Sequence, residues 1–242
     1  MRLAILSDIH ANLPALGAVL DAINRLRVHQ IYVAGDIVGG GPHPVEVIRV
    51  LRETGAICVA GNVDRKVAEL LDAPKKIVKC REKAKKAHLA WTAEQLGPEE
   101  AAWLRDLPAK LDFRFEPVTV RLVHGSAESD EDYVFPSVTE EALSQKTGGF
   151  SAGVFACGHT HIPFTKVFGP LRLVNCGSVG RPVDGDPRAS FAVLESKLDD
   201  RVKCTIVRCP YPVQHLLDDL AARQVPGAIG EEYLAGIKRR GI

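Results

Sequence analysis

Seven residues in this chain carry side chains that bind divalent ions, and each follows a short apolar run directly or within three residues. Asp8 and His10 follow RLAILS, Asp36 follows IYVAG, and Asn62 follows ICVAG. His124 follows VRLV, and His159 and His161 follow VFACG. The donors are carboxylate, imidazole and one amide oxygen, with no sulfur. Such a set suits manganese, iron, zinc and similar ions rather than a thiolate-held structural ion. Taken singly, Asp8-x-His10 and Gly35-Asp36 are common, and Gly61-Asn62-Val63-Asp64 would serve as a turn. Gly158-His159-Thr160-His161 is more specific, because residues two apart in an extended segment project to the same side. Their succession is the signal. Strands laid side by side in a parallel sheet bring their C-terminal ends, and whatever follows them, to one edge.

The elements that must position these residues are legible in outline. Residues 2–7, 31–35 and 57–61 read as strands. Between the first two, Asn12 caps a helix with Pro14 in its first turn, and Leu13, Leu16, Leu20, Ile23 and Leu26 form an apolar stripe. A Gly39–Gly41 turn leads to a helix from Pro44 to about Arg52, ended near Gly55. This alternation implies parallel strands joined by right-handed crossovers. The stretch of about 65–110 reads as a helical insertion, with one charged helix over about 81–96 and a shorter one opened by Pro98. Its basic run, Lys75 to Lys86, reads as a solvated helix face, since acidic residues follow and no aromatics interleave. Strand-like runs recur at 118–123, 154–157, 171–174, 191–194 and 204–207. Ser137 with Glu140 predicts a capping box, and helices are expected near 213–223 and 231–239. The fold class expected is α/β of the mixed α+β kind: a two-layer β-sandwich of mixed sheets flanked by helices. Residues 1–242 form a single domain in this reading, with C-terminal helices at about 213–240.

Composition narrows the partners. Of 242 residues, 31 are Lys or Arg and 30 are Asp or Glu, a net charge of +1, so no basic footprint for nucleic acid or anionic membrane is present. No run of about 18 apolar residues predicts a membrane span. The chain enters a strand at once, which argues against a signal peptide, and its six cysteines form no C-x-x-C pair. Free thiols in a cytoplasmic protein are expected.

In order, DIH, GD, GN-x-D, HG and GHTH resemble the calcineurin-like metallophosphoesterases over residues 1–195. The segment NCGSVGRPVDGDPRAS is similar to the loop after the last ligand in the small prokaryotic YfcE-like phosphodiesterase subgroup. The resemblance implies two divalent ions, manganese first, with iron, zinc, nickel or cobalt as alternatives. It also implies a ligand set. Asp8, His10 and His161 would hold one ion, Asn62, His124 and His159 the other, and Asp36 would bridge them. A pair of ions about 3.5–4 Å apart neutralises charge on an anionic ester and lowers the pKa of a bridging water. The bridging hydroxide then attacks phosphorus in line with the leaving oxygen. Asp36, Asn62 and His124 are the expected catalytic residues, and Asn62 would also touch substrate.

Val63 departs from the family pattern, which often has a histidine after this asparagine. Valine cannot protonate a leaving group, and that help is typically worth about 10²–10⁴-fold. A phosphodiesterase selective for good leaving groups is therefore expected. Arg65 is a candidate phosphate contact, with a surface ion pair as the alternative; His43 is a candidate replacement acid, with a solvent-facing loop histidine favoured. Asp64 reads as support for a ligand histidine or as a turn carboxylate, and turn chemistry accounts for Arg181. The alternatives are a phosphomonoesterase, including a protein serine/threonine phosphatase, or a non-catalytic interaction scaffold of the Vps29 kind. A homo-oligomer is left open.

Overall fold

Leu3 and Ile5 point to one side of the first strand, Ala4 and Leu6 to the other, and all four are buried. A strand covered on both faces belongs inside a layered fold. The computed structural model describes residues 1–73, 83–196, 202–227 and 230–237. Strands β1 (Arg2–Leu6), β2 (Gln30–Val33) and β3 (Ile57–Cys58) run parallel. A second sheet holds β4 (Lys110–Phe115), β5 (Val118–Val123), β6 (Gly153–Cys157), β7 (Phe164–Phe168) and β8 (Leu171–Asn175), in the order β4-β5-β6-β8-β7. There β5, β6 and β8 are parallel, and β4 and β7 are antiparallel edges. The chain then returns to the first sheet through β9 (Ala189–Ser196) and β10 (Val202–Cys209), giving β10-β9-β1-β2-β3. Both sheets are mixed, as expected.

Leu3, Ile5, Val120, Leu122, Val154 and Ala192 fill the space between the sheets. Helices α1 (Leu13–Arg25), α2 (Pro44–Glu53) and α3 (Asn62–Asp72) pack on the other face of the first sheet. The same apolar cluster takes in residues of α4 (Lys83–Gln95), α5 (Pro98–Arg105) and, later in the chain, α7 (Val213–Ala222). Between α5 and α7 lies α6 (Glu140–Lys146), whose Leu143 packs against Phe155 and Leu173 outside the second sheet. The last described helix is α8 (Gly230–Ala235). Asn12 caps α1 by accepting from Ala15 N–H, and α1 buries Leu16, Val19 and Ile23 as its stripe requires.

Several sequence expectations need correction. The ligand-bearing strands do not share one parallel sheet: three lie in the first sheet and two in the second. Strands β4 and β7 were not expected; their alternating burial includes charged and exposed residues, so neither reads as an apolar run. Thr139, not Ser137, caps α6, its Oγ1 accepting from Ala142 N–H at 3.3 Å. The first insertion helix starts at Asn62, so that residue is both ligand candidate and helix opener. Most of the basic run, Cys80 and the end of the expected 231–239 helix lie outside the described residues. The five described cysteines are unpaired. No described helix is long and apolar enough to cross a membrane.

Candidate metal centre

Each of the seven residues emerges where a strand stops, and the two sheets point those stops at one another. Five of them adopt left-handed backbone: Asp8 (φ 53°), His10 (49°), Asp36 (51°), His159 (63°) and His161 (58°). That conformation costs an ordinary residue about 1–2 kcal/mol. It persists only where the surroundings over-determine it, and such positions cluster at functional sites. Two glycines make the close approach feasible. A Cβ on Gly61 would stand 2.2 Å from Asp36 Oδ1, and one on Gly158 would stand 1.8 Å from Ser7 Oγ.

The structure brings Asp8, His10 and His161 into one group, and Asp36, His124 and His159 into another. Asn62 Oδ1 joins the second at 3.1 Å from His124 Nε2. Asp36 stands between them: its Oδ2 is 3.8 Å from His10 Nε2 and 3.5 Å from His124 Nε2. Its Oδ1 accepts from the Val63 N–H at 2.8 Å, at the positive N-terminal end of α3.

The hydrogen bonding fixes what these atoms can do. His10 Nδ1 faces Gly39 O at 3.1 Å, His124 Nδ1 faces Ala34 O at 2.7 Å, and His161 Nδ1 faces Arg181 O at 2.5 Å. A carbonyl only accepts, so each Nδ1 carries a proton and each Nε2 is the ring atom turned inward. His10 Nε2 and His161 Nε2 are then 3.2 Å apart, and Asp8 Oδ1 is 3.1 Å from His161 Nε2. Asp8 Oδ1 is buried and has no hydrogen-bond partner among the described residues. Lone pairs so crowded repel unless a cation lies among them. The spacings are those of adjacent corners around an ion with bonds of about 2.1 Å. His124 Nε2 and His159 Nδ1 approach to the same 3.2 Å.

Protonation follows the same logic. Burial works to raise the Asp8 carboxyl, yet His161 beside it outweighs burial and leaves it at about 2. Burial likewise opposes ionisation of Asp36, but His124 and His10 hold it well below the usual carboxylate range. Burial pushes His10 down to about 3, against the pull of Asp36 and Asp8. At His124 burial is overcome by Asp36, which holds the imidazole up to about 10. The potential around Asp36 thus favours positive charge between Asp36 and His159. Ionised carboxylates beside imidazole lone pairs fit a pair of divalent ions.

Other residues lock this arrangement. Asp64 is fully buried and accepts from Ile37, Val38 and Gly61 N–H at 2.9–3.0 Å, clamping the loop behind Asp36 to the start of α3. It contacts no ligand histidine, so the turn reading holds. Burial and the Asp36 carboxylate push its pKa up to about 7, against those three N–H groups. Asp8 Oδ2 accepts from Ser7 Oγ at 2.7 Å and His159 N–H at 2.9 Å. Asn175 donates to Gly158 O at 2.7 Å, and Ser178 Oγ donates to Asp8 O at 2.7 Å. These two and the Arg181 carbonyl were not singled out as ligand supports from sequence, although NCGSVGRP carries all three. The Arg181 side chain pairs with Glu232 of α8, and Tyr233 donates to Gly40 O at 2.8 Å.

The weaker candidates fall elsewhere. Arg65 pairs with Asp130 through two hydrogen bonds, 2.7 and 3.0 Å, and with Glu69 at 3.1 Å, which is the surface ion-pair reading. His43 is buried, not solvent-facing: it caps α2, and its Nε2 lies 3.0 Å from Asp219. Val63 is buried against Gly39 and shares a core cluster with Leu89 of α4.

Comparison with known proteins places this geometry. The model of the calcineurin-like phosphoesterase superfamily domain matches residues 1–199. A metallophosphoesterase from Sphaerobacter thermophilus is 30% identical, with a TM-score of 0.80 over 98% of this chain and 99% of its own. The protein PH1004 from Pyrococcus horikoshii OT3 is 23% identical, with a TM-score of 0.86 and the same coverage. The phosphoesterase YfcE from E. coli shares the fold at 22% identity and a TM-score of 0.51, covering 87% of this chain and all of its own.

Proposed function

Since the chain belongs to the calcineurin-like phosphoesterase superfamily and is a metal-dependent phosphoester hydrolase, we propose that it is a phosphodiesterase with a dinuclear centre. Asp8, His10 and His161 would hold one ion in this reading, Asn62, His124 and His159 the other, with Asp36 shared between them. Manganese is the ion proposed first. The observation that carries the reading is the position of Asp36 Oδ2, within 3.8 Å of a histidine from each group. When bound, the ions polarise the phosphoryl oxygens and lower the pKa of water beside them.

The chain's own residues set the rest. Asp36 is oriented by the Val63 N–H, and the N-terminus of α3 adds positive potential where an anionic ester would lie. Water adds to phosphorus as the ester oxygen departs, so a diester yields a monoester and an alcohol. The Val63 side chain offers no proton to that departing oxygen. Esters whose alcohols leave unaided are therefore preferred. The chain acts as one domain, with α3, α4, α5, α7 and α8 as additions to the sandwich. The unpaired cysteines support a reducing, cytoplasmic setting.

The test is hydrolysis of bis-p-nitrophenyl phosphate beside p-nitrophenyl phosphate after chelation and return of Mn²⁺. Faster turnover of the diester is expected. No turnover of either, with no metal found by elemental analysis, would sink the reading.

A further inference from the structure

Among the described residues, the large exposed apolar side chains include only two aromatics, Tyr133 at 46% and Phe135 at 43%. They are near neighbours, and they stand on the metal centre. Val134 between them is 1% exposed and packs in the cluster with Leu143 and Phe155. Alternation about that anchor turns Tyr133 and Phe135 outward together. Their rings are stacked, 5.3 Å between centroids and 11° from parallel. The Tyr133 ring also lies 4.4 Å from the ring of His159, at 27°. A line of flat rings therefore runs from a candidate metal ligand to the surface.

The loop that presents them is held. Arg65 grips Asp130, Lys66 pairs with Glu131 at 2.5 Å, and Lys146 pairs with Asp132. These contacts give Arg65 a use that substrate contact did not. They also neutralise three successive carboxylates, so the loop does not repel an anionic ester. A surface fixed in advance loses little entropy when a ligand lies on it.

We infer that Tyr133 and Phe135 form a stacking platform that captures a flat aromatic ring, such as a nucleobase, carried by the phosphoester substrate. The inference rests on the phosphoesterase reading and adds the substrate class: a ring within reach of the phosphoryl group. A stacked ring is worth about tenfold to a hundredfold in affinity.

Calorimetry on the full chain, with Mn²⁺ restored, compares phenyl phosphate and thymidine 5′-monophosphate with methyl phosphate. The two ring-bearing esters are expected to bind at least about tenfold tighter. Phe135→Ala and Tyr133→Ala should each reduce that ratio, and Tyr133→Phe should keep it. Reading a ratio within each protein removes any effect of Tyr133 on His159. Equal binding of all three esters by the wild type overturns the platform, as does a ratio unmoved in the double alanine variant. Failure to bind any of them overturns it too. Ring-selective binding without hydrolysis of bis-p-nitrophenyl phosphate removes the hydrolase reading and leaves the platform standing. Hydrolysis with ring-blind binding does the reverse.

Discussion

Val63→His, the obvious way to install the missing proton donor, is expected to fail by itself. Val63 is 7% exposed. A Cβ on Gly39 would stand 2.5 Å from Val63 Cγ1 and 4.0 Å from Leu89 Cδ2, so the valine methyl already fills the gap between loop and α4. Imidazole adds three heavy atoms to that space. Overpacking of this kind costs about 1–3 kcal/mol, and each kcal/mol moves the Tm of a chain this long by about 2–4 °C. A drop of about 2–12 °C is expected, with no gain on alkyl diesters. Leu89→Ala vacates the neighbouring volume, at a cost of about 2–5 kcal/mol alone. The double variant should be more stable than the sum of the two, by about 0.5–3 kcal/mol, because the ring occupies the vacancy. It should also gain up to about 10²-fold on alkyl diesters and little on bis-p-nitrophenyl phosphate, whose leaving group needs no proton. The assay is kcat/KM against leaving-group pKa over an ester series, beside thermal melts. A steep dependence is expected for the wild type and the single variant, and a shallower one for the double. If Val63→His alone gained alkyl diesterase activity at unchanged Tm, packing would not be what excludes the acid. If the double variant kept the wild-type slope, the leaving-group argument itself would fall.

Removal of metal should lower Tm, because the proposed ions would join residues of both sheets; at 100 times its Kd each ion would stabilise by about 2.7 kcal/mol, or about 5–10 °C at this length, read from melts with and without chelator. Asp36→Asn should abolish that Mn²⁺-dependent increment while Arg65→Ala retains it; the opposite order would show Asp36 does not bridge. Gly158→Ala, whose Cβ would meet Ser7 Oγ at 1.8 Å and Asp8 Oδ2 at 2.5 Å, should cost more than about 4 kcal/mol or prevent folding, seen as lost soluble yield. Gly17→Ala, on the exposed side of α1 with nothing within 4 Å, should instead stabilise by about 0.5–1 kcal/mol in urea titration.

The clustering of the candidate ligands was legible because metal binding demands particular atoms, and a strand end is where a side chain can leave the sheet. The partition between sheets was not legible, since an apolar run is the same signal whichever sheet it joins. β4 escaped because Lys110, Asp112 and Arg114 face outward and break its apolar content. His43 misled for a related reason: a glycine-rich loop suggests solvent, yet Asp219 of α7, distant in sequence, covers it. The carbonyls that orient His10, His124 and His161 carry no side-chain signature at all. Val63 was read correctly as lacking an acid, but only the neighbouring Gly39 and Leu89 explain why a larger side chain has no room there.

The five left-handed ligands have an evolutionary consequence. Each holds a conformation that glycine would tolerate more easily than aspartate or histidine does. Strain of about 1–2 kcal/mol at each is large against a typical net stability of about 5–15 kcal/mol. If the proposed ligands serve hydrolysis, selection for it works against selection for a sturdier fold. A lineage that no longer needed the ions would be drawn to discard the histidines first, ending as a more robust sandwich with an inert edge.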